Sequence, residues 1–379
     1  MDNNTIKFSC GEAAKATFFG DKAARELVDI SVDWTKAELQ KMRAQDSGLL
    51  ISQYAVDYDK WITNEVKQAF VNKLYTYCSN KAGMSNFDHN NKEHLVLAFS
   101  NPMFEWHLMS IITQTINTVN ADNEMEDIML VANVVNVGMG DSLTQEIESK
   151  ALYNVQKHSY GNNKSRYQAH LKSPITIKPE PNSASVTFDV IQMTAINFDW
   201  GKQVAKIASS FRTQLYQDVV SVIFTTSNVS GTPFYKDTFA KSTYSGMADQ
   251  LEAANSSPVT AYGTRTAFVS MSDSVDTGYT TLDEINKTGF IANLYGVRTQ
   301  VLKQAVDSNT SSLTVRVPTN KVLLLSSTGD RPAKVAKESN LQVKAEDGLN
   351  TALYRRVYTM IDSWKVALAT QAAYGIQMV

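Results

Sequence analysis

Residues 199–224 read DWGKQVAKIASSFRTQLYQDVVSVIF, and the rest of the chain is best understood outward from them. Val204, Ile207, Ala208, Phe211, Leu215, Val219, Val222 and Ile223 recur every three or four residues, while Lys202, Lys206, Arg212, Gln214 and Asp218 fall outside that stripe. The pattern predicts a helix, with Asp199 placed to cap its free amides and a loop over residues 225–231, just before Pro233, to end it. At 1.5 Å per residue such a helix extends ~39 Å. A single apolar stripe of that length is more than an isolated core of this size usually requires, so the helix reads as a strut.

The chain before the helix is extended. Residues 128–137 are β-branched and apolar and stop at Gly138-Met139-Gly140-Asp141, a turn composition. Residues 142–192 alternate weakly around a polar centre, Tyr160-Gly161-Asn162-Asn163-Lys164-Ser165-Arg166-Tyr167, which reads as a loop tip. The returning side carries Ile175 and Ile177, is interrupted by Pro179 and Pro181, and resumes with Val186, Phe188 and Val190 at period two. Two antiparallel strands on a long arm are expected, with too few apolar residues to be covered on both faces. An isolated two-stranded arm is marginal in water, so it needs a neighbouring subunit to lie on. Tyr160, Lys164, Arg166 and Tyr167 at its tip are the candidate contacts, read as a subunit interface in preference to a phosphate site.

The first 125 residues read as helices. Ala23, Leu27 and Ile30 repeat at helical spacing, and Thr35 with Glu38 forms a capping box for a second helix continued by Leu39 and Met42. Gln45-Asp46-Ser47-Gly48 breaks it. A longer helix is expected from about Tyr58, with Trp61, Ile62, Val66, Phe70, Leu74 and Tyr77 on one side, and a polar stretch over residues 79–91 follows. Asn101-Pro102 is a good helix start, and Phe104, Leu108, Ile111, Ile112, Thr115 and Val119 supply a buried stripe.

After the long helix the chain mixes α and β. A short helix near residues 247–254 leads through Ser256-Ser257-Pro258 into an expected strand over 259–269. A short helix at 282–287 ends at Gly289, and an alternating strand runs over 297–306. Residues 313–317 and 322–325 flank Pro318-Thr319-Asn320, a hairpin-turn candidate. Residues 354–362 alternate again, and Trp364, Val366, Leu368 and Tyr374-Gly375-Ile376 close the chain. The spacing suggests one antiparallel sheet with helices alongside.

Composition sets limits on function. The chain has 379 residues, 36 Lys or Arg and 38 Asp or Glu, a formal charge of −2, with 43% hydrophobic and 20% charged residues. It is therefore a folded soluble protein of two domains or one large elongated one, and not a dedicated nucleic-acid or membrane-surface binder. Cys10 and Cys78 are too few for a disulfide framework or thiolate metal site and fit a reducing compartment. No apolar run has the roughly 18 residues a membrane span needs, and residues 1–11 have no apolar signal core.

Catalytic chemistry is not announced. His89 and His94, near Asp88 and Glu93, match no common zinc spacing and read as a solvated loop. There is no nucleophile elbow, phosphate loop or dinucleotide fingerprint, and Gly138-Met139-Gly140 reads as a turn. Arg355 and Arg356 sit on opposite faces of an alternating strand, and Trp34, Trp61, Trp106, Trp200 and Trp364 read as core or interface anchors. No catalytic residue, cofactor or metal is assigned.

The order of parts resembles a family: a long β arm, a strut helix, an α/β segment containing TGFIANLYGVR (288–298), a VPTNKVLLL turn (317–325) and an ending YGIQMV (374–379). This order is similar to the major capsid protein of tailed bacteriophages with the Hong Kong 97-type fold. The resemblance covers residues 128–379 and implies an α+β fold with an extended loop over 142–192 and a spine helix over 199–224. It further implies an axial domain over 232–306 and a peripheral domain from 126–141, 193–231 and 307–379. Residues 1–125 depart from it, as an elaborated N-terminal arm or an added helical domain. The resemblance implies a non-enzymatic virion subunit, made in the host cytoplasm, that assembles as hexamers and pentamers into an icosahedral shell around double-stranded DNA without reading its sequence. Scaffold, portal and decoration proteins are further partners it allows. Some relatives join the loop of one subunit to the next through a Lys–Asn bond, but no spacing marks such a pair here. An encapsulin-type compartment and an oligomeric enzyme with an unrecognised site are the alternative classes.

Overall fold

The computed structural model describes residues 21–47, 57, 60, 62–88, 90–122, 126–148, 172–189, 199–226, 235–272, 290–302, 304, 317–327, 331–338, 341–347, 355–368 and 373–379. The chain opens with α1 (Lys22–Ser47), α2 (Asn64–Lys81), α3 (Lys92–Phe99), α4 (Pro102–Asp122) and α5 (Glu126–Met129). β1 (Ala132–Val137), β2 (Leu143–Glu148), β3 (Lys172–Ile177) and β4 (Glu180–Asp189) precede α6 (Trp200–Thr226). The remainder is β5 (Tyr235–Lys236), α7 (Lys241–Asn255), β6 (Val259–Gly263), α8 (Arg265–Ser272), β7 (Asn293–Leu294), β8 (Val297–Val301), β9 (Lys321–Ser326), β10 (Ala333–Glu338), β11 (Gln342–Asp347), β12 (Arg355–Leu368) and β13 (Gly375–Met378).

The fold is mixed α and β, but its strands form two larger sheets and a hairpin where the spacing suggested one antiparallel sheet. In the first sheet β12 is central. β4 pairs antiparallel along one edge from Arg355↔Asp189 to Trp364↔Glu180, and β10 and β11 follow each other antiparallel along the other. Between Lys337↔Trp364 and Gln342↔Ile361 one side advances five residues and the other three, so the ladder changes register there. β1 runs parallel to β10 on the outside. The second sheet has the order β5-β13-β9-β6-β8-β7 and is also mixed, since β6 and β8, and β13 and β5, are parallel. Tyr295 and Gly296, with φ of 51° and 85°, form the two-residue turn between β7 and β8 that matches strand twist.

α6 has the predicted stripe buried, with Val204, Ile207, Ala208, Phe211, Leu215, Val219 and Ile223 all nearly inaccessible. Its second flank is buried too, through Ala205, Tyr216, Gln217, Val220 and Phe224. α1 and α4 pack on one side of it and β10 and β12 on another, so α6 is a core helix between layers and not a free strut. The periodicity underestimates this because Gln214 and Asp218, polar by type, face the sheet: Trp364 Nε1 donates to Asp218 Oδ2 at 2.8 Å, and Gln214 Nε2 donates to Asp218 Oδ1 at 2.9 Å.

The helical layer corrects several boundaries. α1 is one helix through Thr35, whose buried hydroxyl donates to Ser31 O at 2.7 Å instead of capping a new start. α2 begins at Asn64, where Thr63 Oγ1 accepts from Val66 N, and it continues through buried Ser79 into the stretch whose polarity suggests a linker. α3 is a helix that the surrounding polarity conceals, with Leu95, Ala98 and Phe99 turned inward. α4 starts where Asn101-Pro102 predicts, with Met103 N donating to Asn101 Oδ1, and the whole predicted stripe is buried.

Further along, the apolar run at 128–137 divides into α5 and β1, and the stretch at 259–269 divides at Thr264, whose Oγ1 accepts from Ala267 N and starts α8. The strand expected over 297–306 ends at Val301, and the C-terminal alternation continues unbroken to Leu368. The helix expected at 282–287 and the strand expected at 313–316 lie outside the described residues.

Candidate functional site

Of the expected arm the described residues include β2 and β3, paired antiparallel from Leu143↔Ile177 to Glu148↔Lys172. Leu143, Gln145, Ile175 and Ile177 share one face and are half-buried or buried; Thr144, Glu146, Pro174 and Thr176 share the other and are exposed. Cross-strand stabilisation on the open face is slight, since Thr144 and Thr176 meet at 3.4 Å between hydroxyls. The strand containing Val186, expected to continue the arm, leaves it instead: β4 joins β12, where Ala184 and Val186 pack against the core and gain burial the arm does not offer. The tip contacts Tyr160, Lys164, Arg166 and Tyr167 lie outside the described residues.

What the structure does fix is the root of the arm. On the outgoing side, the Gly138–Asp141 turn closes with Asp141 N donating to Gly138 O at 3.0 Å, and Gly140, at φ 80°, donates its N–H to Glu338 Oε1 at the end of β10. On the returning side, Pro179 is buried and Glu180 pairs with Lys365 of β12. The two chains of the arm are thus held by neighbouring strands of one sheet.

Beneath that root lies a nearly inaccessible ion pair, Lys337 Nζ to Asp362 Oδ2 at 2.9 Å. Burial pushes the Asp362 carboxyl above the usual carboxylate value, against the lowering effect of Lys337. Such a pair contributes little net stability over apolar residues, but removing one partner strands the other. A second tie joins the helical layer to α6. Asp199 caps it, with Lys202 N donating to Oδ1 at 3.0 Å, and its Oδ2 pairs with Lys67 of α2. Lys67 Nζ also stands 5.6 Å from the ring centre of Trp34, which meets Phe70 edge-on at 5.8 Å. Gly201 permits this approach, since a Cβ there would stand 2.5 Å from the Trp34 indole.

His94 Nδ1 accepts from Asp88 N at 3.1 Å, and His89 lies outside the described residues. Among the described residues no group of three or more His, Cys, Asp and Glu is placed to hold a metal ion, and no helix is long and apolar enough to cross a membrane. Cys78 is buried, which pushes its thiol well above its ordinary value. Arg355 and Arg356 hold consecutive positions in β12, opposite Asp189 and Phe188 of β4. Trp34, Trp200 and Trp364 are core residues, whereas Trp106 is 47% exposed.

No family model and no curated protein matches the chain. Among solved structures it is similar to the capsid of a native GTA particle, at 13% identity, covering 68% of this chain and 90% of that one with a TM-score of 0.49. It is also similar to the mature capsid of bacteriophage PhiM1, at 8% identity over 66% of this chain and 85% of that one, TM-score 0.45. A virus-like particle from Pyrococcus furiosus is similar at 9% identity over 70% and 98% of the two chains, TM-score 0.42.

Proposed function

We propose that this chain is a self-assembling shell subunit, the major capsid protein of a phage-type head. The observation that carries the reading is the order of its elements: a two-stranded arm rooted in one sheet, a long helix buried beneath that sheet, a second sheet, and a C-terminal return that closes both. In this reading residues 142–192 form the extended loop, residues 232–306 the axial domain, and residues 126–141, 193–231 and 307–379 the peripheral domain. The strands β9 and β13 of the peripheral part hydrogen-bond in the same sheet as β5 and β6, so the two parts share a wall.

Function is then geometric. Copies meet as hexamers and pentamers through the axial part, each arm lies across an adjacent subunit, and the shared sheet and α6 keep the plate stiff as the shell curves around double-stranded DNA. Many modest interfaces sum to a stable shell while each remains weak enough to correct. A formal charge of −2 suits a container that does not grip its contents. Deleting residues 153–171 tests the proposal. The shortened subunit is expected to stay folded by circular dichroism and to lose closed particles in light scattering. Normal particle formation by the deletion would remove the arm from the mechanism.

A further inference from the structure

Two apolar residues that the helical spacing assigns to the core, Ile30 and Val66, are instead 39% and 46% exposed. They belong to neighbouring helices. Lys81 of α2 pairs with Asp21 at 2.7 Å, Lys73 with Glu26 at 3.1 Å, and Phe70 meets Trp34, so α1 and α2 run antiparallel, residues 29–33 lie alongside residues 70–73, and Val66 stands about a turn further on. The outer face of α1 carries Glu26, Asp29, Ile30 and Asp33, all exposed and spaced to share one side over ~10 Å. The matching face of α2 carries exposed Glu65, Val66, Ala69 and Lys73. Lys73 is engaged by Glu26, while Asp29, Asp33 and Glu65 form no ion pair among the described residues. The neighbouring outer faces of the two helices thus carry the exposed apolar residues Ile30, Ala69 and Val66 beside three unpaired carboxylates, and we take them together as one shallow groove, bridged at one point by Lys73 and Glu26.

The charge of the chain is divided to match. Residues 149–171 contain Lys150, Lys157, Lys164 and Arg166, three tyrosines, and no Asp or Glu. The rest of the chain therefore holds 32 basic residues against all 38 acidic ones. A cationic, tyrosine-bearing segment fits such a groove, because its ammonium groups meet the carboxylates while the rings cover the apolar residues. We infer that the α1–α2 groove receives residues 149–171 of a second copy of this chain. This deepens the shell reading and rests on it, naming the surface of the adjacent subunit on which the arm lies. It also gives the helical layer, which the resemblance does not cover, a part in assembly. Charged contacts at this exposed site weaken with salt, so docking is favoured at low ionic strength.

The test uses the full chain, mixing copies of ordinary and heavy-nitrogen isotope composition before assembly. A zero-length carbodiimide then couples carboxylates to lysines in the particles, and mass spectrometry reads the joined peptides. Mixed-isotope peptides joining Lys157 or Lys164 to Asp29, Asp33 or Glu65 are expected. The double variant Asp29→Lys, Asp33→Lys, both surface changes, is expected to lose particles at low salt and to regain them when Lys157→Glu and Lys164→Glu are added to the same chain. Particles without those couplings, couplings confined to one isotope, or normal assembly by the Asp29→Lys, Asp33→Lys chain would each overturn the docking and leave the shell reading standing. A chain that never forms particles would overturn both.

Discussion

The core around α6 draws on residues from Ala24 to Ile376, whereas the core behind the second sheet is assembled from residues between Tyr244 and Leu324, with its helices and strands close together in sequence. The first needs the helical layer, the long helix and the returning β12 all present before it closes, and each closure spans a long loop. The second closes mostly over short connections. The two meet at β9, where Leu323 and Leu325 face the first core and Val322 and Leu324 face the second. A strand buried on both faces thus stands between the two cores and belongs to both. The helices α1 and α4 cover α6, and Leu27, Trp34, Leu74, Phe99 and Leu108 of the helical layer belong to the same core.

That contrast is open to breakage in graded steps. Trp34→Ala, at the junction of α1, α2 and α6, should cost about 3–5 kcal/mol, measured by denaturant unfolding. Leu323→Ala and Leu324→Ala should each cost about 2–5 kcal/mol, but at different places. Hydrogen exchange in α1 should rise with Leu323→Ala and stay near the parent level with Leu324→Ala; equal effects would mean that the cores are one cooperative unit. Gly201→Ala should cost about 1–3 kcal/mol, because the added methyl displaces the Trp34 indole.

The smallest effect concerns the start of α1. The hydrogen bond from Lys81 holds the Asp21 carboxyl below its usual value, and Ala23 N and Tyr77 OH add to this. Its folded pKa is depressed, so its contribution is present above the ordinary carboxylate value and is lost as pH falls through the folded one. Asp21→Asn should therefore be less stable than the parent at neutral pH, and the difference should vanish in acid.

The long helix and the antiparallel pairing of β2 with β3 were legible because each depends on local signals: a stripe at helical spacing after a capping Asp199, and alternation that carries Ile175 and Ile177. The boundaries were less so. Thr35 resembles a cap, and only its buried position shows that its hydroxyl bonds back along one continuous helix. The separation into two sheets was invisible, because β12 chooses β4 and β10 as partners across long sequence distances that no periodicity records. No strand is read at β10 from the sequence, since Lys334 and Lys337 make it look exposed although the first is buried and the second nearly so. The α1–α2 groove was concealed by a rule usually sound, that apolar residues at helical spacing face inward.

The central claim is that copies of this chain build a shell, and negative-stain electron microscopy of the purified full chain tests it most directly. Closed particles, sheets or rings of plate-like subunits are the predicted result. A compact monomer that persists at high protein concentration and low salt would contradict it.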